Sequence, residues 1–94
     1  FEEYRERIPE FIVKLYHILE NKNFNDYLCW SNDSEILIKN GRKLEEKVLP
    51  HFFRHRHLSS FVRQLNMYKF GKVNKLTKER NYMYFKNRSE ERRV

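Results

Sequence analysis

The segment from Leu58 to Tyr68 constrains the fold of this chain more than any other, because its apolar residues recur with the period of an α-helix. At about 100° per residue, the side chains of Phe61, Leu65 and Tyr68 fall within roughly 60° of one another on one face. The opposite face carries polar side chains, namely Ser59, Arg63 and Asn66. The segment therefore predicts a helix that packs against a core on one side and faces a polar environment on the other.

The polar face of this predicted helix has side chains that suit the edges of DNA base pairs. Arginine can donate two hydrogen bonds to O6 and N7 of guanine, and asparagine pairs bidentately with adenine. Arg63 and Asn66 are three residues apart, so they are neighbours on the helix and would reach adjacent base pairs in one major groove. The competing interpretation is an ordinary surface helix whose polar side chains face solvent.

The chain has a formal net charge of +7, and this charge is strongly segregated along the sequence. Residues 1–41 hold five Lys/Arg and eight Asp/Glu, a net charge of −3, whereas residues 42–94 hold fifteen and five, a net charge of +10. All the excess positive charge lies in the half that contains the predicted helix. This asymmetry indicates a polyanionic partner such as nucleic acid, against the alternative of a basic surface that only aids solubility.

A chain of this length forms one small domain, and turn-forming residues divide it into helices and strands. The predicted elements are a helix after Pro9, strands Tyr27–Ser31 and Glu35–Lys39, helices Arg42–Leu49 and Ser59–Lys69, and strands Phe70–Lys75 and Tyr82–Lys86. This order predicts an α+β winged helix-turn-helix, with three helices packed on a small four-stranded antiparallel sheet. The second helix of the pair would then be the one that enters the major groove.

Local signals refine this outline. Pro50 cannot continue a helix without disturbing it, so a kink or bulge is predicted around Val48 to His51. Ser59 or Ser60 is expected to cap the last helix. The predicted core consists of Phe11, Leu15, Trp30, Phe53, Phe61, Leu65 and Phe70.

Several classes of protein and site are not expected from this sequence. No apolar run approaches the roughly 20 residues of a membrane span, and no signal-peptide pattern opens the chain, so no membrane partner is expected. The lone Cys29 excludes an internal disulfide and is expected to be buried. His51, His55 and His57 are interleaved with arginines, so no metal site is expected. With two glycines and no catalytic constellation, the chain is expected to have no cofactor and not to be an enzyme.

Five blocks of the sequence resemble the DNA-binding domain of heat shock transcription factors. Ser60–Tyr68, which reads SFVRQLNMY, resembles the recognition helix of that family. The other blocks are Pro9–Tyr16 for the first helix, Leu28–Ser31 for the first strand, Lys47–His55 for the second helix and its turn, and then Phe70 with Lys72 and Val73. The resemblance spans Pro9 to Arg88, which makes residues 1–8 an N-terminal extension, 9–88 the domain, and 89–94 the start of a linker.

The resemblance implies a sequence-specific double-stranded DNA-binding domain of a heat shock transcription factor, acting in the nucleus. Helix Ser59–Lys69 would lie in the major groove of inverted GAA-containing heat shock elements. The resemblance also implies that the full-length protein is a homotrimer, joined by a coiled coil that this fragment lacks. No sustained heptad pattern exists here, so the fragment alone is expected to be a monomer. Two alternatives remain open: another winged-helix DNA reader, such as an Ets-like domain, and a winged helix that binds an acidic protein.

Within this frame, Arg63 is expected to contact a base directly. Its helix face points to that role, and the resemblance implies that it reads the guanine of the GAA element. The residues expected to contact the DNA backbone, directly or through water, are Ser60, Gln64, Asn66, Lys72, Arg54, His55, Tyr68 and Lys69.

The sequence departs from the family pattern at two places. The family usually has Gly after the Tyr that ends the helix, and Arg after the following Phe, whereas this chain has Lys69 and Gly71. Only about Leu76–Arg80 separates the last two predicted strands, where the family has a longer, Gly-containing loop that serves contacts between neighbouring domains. This unusually short wing puts cooperative packing of adjacent domains in doubt.

Overall fold

The computed structural model describes residues 8–32 and 34–88 of the chain. The linker predicted over residues 89–94 and, apart from Ile8, the extension predicted over residues 1–8 lie outside the described residues. The elements in chain order are α1 (Glu10–Leu19), a 3-10 turn (Lys22–Phe24), β1 (Leu28–Asn32), β2 (Glu35–Ile38), α2 (Gly41–Lys47), α3 (Leu49–Phe52), α4 (Leu58–Met67), β3 (Phe70–Val73) and β4 (Met83–Asn87).

The described residues contain four α-helices rather than the three predicted, because the second predicted helix is divided at Val48. Val48 has φ −116° and ψ −54°, a departure from helical geometry that ends α2 before α3 begins. Pro50 lies in the first turn of α3, where its missing N–H would have no partner within the helix. The division confirms the kink predicted around Val48 to His51.

Asparagine side chains fix where two of the helical segments begin. Asn21 Oδ1 accepts the backbone N–H of Asn23 at 2.9 Å at the start of the 3-10 turn. Asn40 Oδ1 accepts the N–H of Lys43 at 3.0 Å and so caps α2. Both contacts are local, and each satisfies a backbone donor that the first turn of a helix leaves without a partner.

The four strands form one antiparallel sheet in the order β1-β2-β4-β3. Strand β2 is flanked on both sides, and all of its residues are buried. Ile36 of β2 pairs with Phe85 of β4, and both side chains belong to the core between sheet and helices. The sheet, the helices and their order confirm the winged helix-turn-helix predicted from the sequence.

The wing that joins β3 to β4 comprises residues 74–82, because both strands are shorter at this end than predicted. Turns replace the strand ends: the N–H of Glu79 donates to Thr77 Oγ1 at 3.2 Å, and the N–H of Tyr82 donates to the Glu79 carbonyl at 3.3 Å. Such local hydrogen bonds compete with pairing between strands, so the wing residues form turns and do not extend β3 and β4.

The core lies between the inner face of the sheet and the four helices. Its members are Phe11, Leu15, Ile18, Leu19, Leu28, Ile36, Ile38, Leu44, Val48, Leu49, Phe61, Leu65, Phe70 and Phe85. Five of the seven predicted core residues are among them, whereas Trp30 and Phe53 are only half-buried. Trp30 lies on the edge strand β1, where its ring packs edge-on against Tyr16 at 5.6 Å.

The expectation that Cys29 is buried is wrong, because its side chain is half-exposed. Cys29 pairs with Leu37 across β1 and β2, and it alternates along β1 with Leu28, which belongs to the core. Since successive side chains of a strand point to opposite faces, Cys29 lies on the outer face of the sheet.

Candidate nucleic-acid interface

Helix α4 has the two faces predicted from its sequence. Phe61 and Leu65 are buried, with 3% and 0% of their surfaces exposed. Arg63 and Asn66 are exposed, as is Ser59 at the start of the helix. The polar face of α4 is therefore open to a partner, while the apolar face holds the helix on the core.

Aromatic contacts with α1 and the turn after α3 hold α4 in place. The ring of Tyr68 stacks on Phe11 with centroids 5.6 Å apart and an interplanar angle of 9°. Phe61 lies 5.6 Å from Phe11 and 6.0 Å from Phe53. Tyr68 thus has its ring on the core side, as expected, and it remains half-buried. These ring pairs restrict both the rotation and the tilt of the helix that carries Arg63.

The N-terminus of α4 is capped from another helix, and the predicted serine cap is wrong. His57 occupies the cap position, and its side chain makes no capping hydrogen bond. Instead, the N–H of Leu58 donates to Glu45 Oε2 of α2 at 2.6 Å. The same carboxylate oxygen lies 3.9 Å from His57 Nδ1. Glu45 therefore links the first helix of the helix-turn-helix to the start of the second, a role for which no local sequence pattern exists.

The C-terminus of α4 ends in a left-handed residue that is not glycine. Lys69 has φ 76°, and it is the only non-glycine residue with positive φ among those described. Its N–H donates to the carbonyl of Asn66 at 3.1 Å, and its carbonyl accepts the N–H of Arg88 at 2.6 Å. This backbone conformation explains why α4 ends at Met67, before the predicted boundary at Lys69.

The structure separates the expected backbone contacts into three sets. His55, Gln64 and Tyr68 line one cavity of about 290 Å³ between α1 and α4. Lys72 lies instead in a cleft of about 590 Å³ beside the first residue of α4. The remaining members have exposed or half-buried side chains on α4 and the segments beside it, namely Arg54, Ser60, Asn66 and Lys69.

No three potential metal ligands come together within residues 8–32 and 34–88. No helix in these ranges is long and apolar enough to span a membrane. His51, His55 and His57 all have exposed side chains.

The comparisons with known proteins agree on one family. The model of HSF-type DNA-binding domains matches residues 11–93. Heat shock factor protein 3 of Gallus gallus is 40% identical over 67 residues, which are 70% of this chain and 14% of that protein. Transcription factor SKN7 of Saccharomyces cerevisiae is 40% identical over 72 residues, which are 76% of this chain and 12% of that protein.

A crystal structure of the heat shock transcription factor's DNA-binding domain with cognate DNA has the same fold. Its TM-score is 0.77 at 33% identity, over 85% of this chain and 94% of that chain. The family model covers nearly the whole chain, and the structural match is to a DNA-binding domain of the same family. The chain belongs to the family of HSF-type DNA-binding domains.

Proposed function

We propose that this domain binds double-stranded DNA sequence-specifically, as the DNA-binding domain of a heat shock-type transcription factor. The observation that carries the proposal is the position of Arg63 and Asn66 on the exposed face of α4, opposite the buried Phe61 and Leu65. A helix with one polar and one apolar face can enter the major groove while its apolar face stays packed on the core. The matched heat shock factor domain was solved with its cognate DNA, which supports the same mode here.

The proposed target is an inverted repeat of GAA-containing elements, and the proposed reader is Arg63. Its guanidinium would donate to O6 and N7 of the guanine, which distinguishes this base pair from the other three. The backbone contacts are proposed for Ser60, Gln64, Asn66, Lys72, Arg54, His55, Tyr68 and Lys69. Affinity then comes largely from phosphate neutralisation and specificity largely from Arg63.

The remaining parts of the proposal concern the longer protein. We infer that its site of action is the nucleus, because one of the matched relatives is named as a transcription factor. Trimerisation through a coiled coil outside this chain would bring several domains onto adjacent half-sites. The domain by itself would then be a monomer that binds a single half-site weakly, and its activity is binding rather than catalysis.

The test compares two duplexes and three proteins by fluorescence anisotropy. One duplex carries inverted GAA repeats, the other a scrambled sequence, and the proteins are wild type, Arg63→Ala and the control Arg56→Ala. Arg56 is an exposed arginine in the turn before α4, so its removal changes the net charge equally. Arg63→Ala is expected to lose about 1–3 kcal/mol of the preference for GAA, whereas Arg56→Ala keeps that preference.

Two other results would each favour a different class of winged-helix protein. Equal binding of both duplexes by the wild type would make the basic face a nonspecific clamp and would favour the winged helix that binds an acidic protein. A strong preference for a different duplex in a selection from random sequences would favour an Ets-like reader. Either result would refute the proposed target.

A further inference from the structure

We propose that a second surface of this domain binds the DNA backbone: the cleft between the wing and the start of α2. This wing cleft has a volume of about 590 Å³ and is lined chiefly by Asn40, Arg42, Leu58, Lys72, Arg80 and Tyr82. Its ligand would be the phosphates of the duplex that flank the base pairs read by α4. The inference rests on the proposed function, and it adds the wing and α2 to the DNA-binding surface.

The charge of the wing cleft is entirely positive. Three cationic side chains reach it from separate elements: Arg42 from α2, Lys72 from β3 and Arg80 from the wing. No Asp or Glu lines the cleft. Like charges around one volume repel one another unless an anion neutralises them, and a DNA backbone supplies phosphates at regular spacing.

These cations are available to a ligand. Within residues 8–32 and 34–88, no carboxylate lies within ion-pair distance of Lys72 or Arg80. Arg42 Nε lies 3.6 Å from Glu46 Oε2, but the two side chains are 86% and 54% exposed. An ion pair so exposed contributes little, so Arg42 can exchange Glu46 for a phosphate.

Uncharged donors complete the lining. Asn40 Oδ1 is occupied by the N–H of Lys43, which leaves the Nδ2 group of the same side chain to donate. The phenol of Tyr82 adds another donor at the base of the wing. Asn and Tyr side chains are among those that commonly contact phosphate oxygens, alongside Arg and Lys.

The wing cleft is continuous with the recognition helix. Leu58, the first residue of α4, forms part of its wall. A side chain at Gly41 would place its Cβ 2.6 Å from Leu58 Cδ2, so the missing side chain lets α2 approach the start of α4 closely. A helix in the major groove has phosphate backbone along both sides of that groove. The cleft therefore lies where the flanking backbone would pass.

The test compares Arg80→Gln with Lys78→Gln. Lys78 is an exposed lysine in the same wing that does not line the cleft, and both changes remove one positive charge. Affinities for the GAA duplex are measured at several salt concentrations, once with about six flanking base pairs on each side and once without them. Circular dichroism melts verify that each variant is folded.

On the long duplex, Arg80→Gln is expected to make the negative slope of log K against log salt less steep by about 0.9. A change of this size corresponds to the loss of one phosphate contact. That change in slope corresponds to roughly eightfold weaker binding at 0.1 M salt if affinities converge at 1 M. The affinity and salt slope of Lys78→Gln should stay close to those of the wild type on both duplexes. On the short duplex, Arg80→Gln should also bind with the affinity of the wild type. Arg42→Gln, a second variant in the cleft, should repeat the pattern of Arg80→Gln.

Two results would overturn the inference while leaving the proposed function intact. Equal losses in Arg80→Gln and Lys78→Gln would show that the wing acts through diffuse charge, without a defined site. A loss in Arg80→Gln that persists on the short duplex would place its contact elsewhere. In both cases the preference for GAA would remain, and only its absence in the wild type would refute the proposed function itself.

Discussion

Lys69→Gly should stabilise this domain, because Lys69 adopts a conformation that favours glycine. Its φ of 76° lies in the left-handed region, where a residue with a Cβ loses about 1–2 kcal/mol. Glycine has greater freedom in the unfolded chain, which offsets about 0.5–1 kcal/mol of that gain. The free energy of unfolding should therefore rise by about 0.5–1 kcal/mol, which is about 2–8 °C in Tm for a domain of this size.

Lys69→Ala is the matched control. Alanine removes the same ammonium group but retains a Cβ at the strained backbone position, so its stability should stay within about 0.5 kcal/mol of the wild type. Urea denaturation of the three proteins gives the comparison, provided that their m-values agree. If Gly and Ala are equally stable at position 69, the backbone conformation does not limit stability and the reasoning is refuted.

The same pair of variants also tests the proposed phosphate contact of Lys69. Both substitutions remove the charge, so both should weaken DNA binding alike and lower the salt slope by about 0.9. Stability and affinity would then move in opposite directions in Lys69→Gly. An unchanged salt slope in both variants would remove Lys69 from the DNA-binding surface.

Two further substitutions test contacts between elements. Glu45→Ala should destabilise the domain by about 1 kcal/mol and weaken GAA binding, because the N–H of Leu58 loses its acceptor. Adding His57→Asn should recover part of the stability, because an Asn at this cap position can accept the N–H of Ser59 or Ser60; an unchanged Tm in Glu45→Ala would exclude the role of Glu45. Lys75 Nζ forms a salt bridge with Glu35 Oε1, and Glu35 is only 5% exposed. Lys75→Met should therefore lower the free energy of unfolding in urea by about 1–3 kcal/mol, because the buried carboxylate loses its cation; an unchanged midpoint would contradict this.

The two faces of α4 could be predicted from the sequence because they depend only on the helical period. Phe61, Leu65 and Arg63 lie where a rotation of about 100° per residue puts them. The interruption at Val48 was likewise predictable, since the effect of Pro50 on a helix is local. The order of helices and strands, and with it the fold, followed from such local signals together with the resemblance.

Contacts between distant residues could not be predicted in the same way. Glu45 and Leu58 are thirteen residues apart, and they meet only because α2 packs beside the start of α4. The ends of β3 and β4 at the wing could not be predicted, because they depend on turn hydrogen bonds that the alternation of apolar and polar residues does not reveal. Trp30 is half-exposed because β1 is an edge strand, and the strand order of the sheet is a tertiary property.

The absence of a side chain at Gly71 allows the guanidinium of Arg88 to lie over β3. A Cβ built on Gly71 would coincide with the guanidinium of Arg88, so the two side chains compete for one volume over β3. The far end of an arginine side chain can swing aside at little energetic cost, so a larger residue at 71 would displace the guanidinium without disrupting the sheet. A larger residue at position 71 should therefore be tolerated with arginine at position 88, whose guanidinium would then point away from β3.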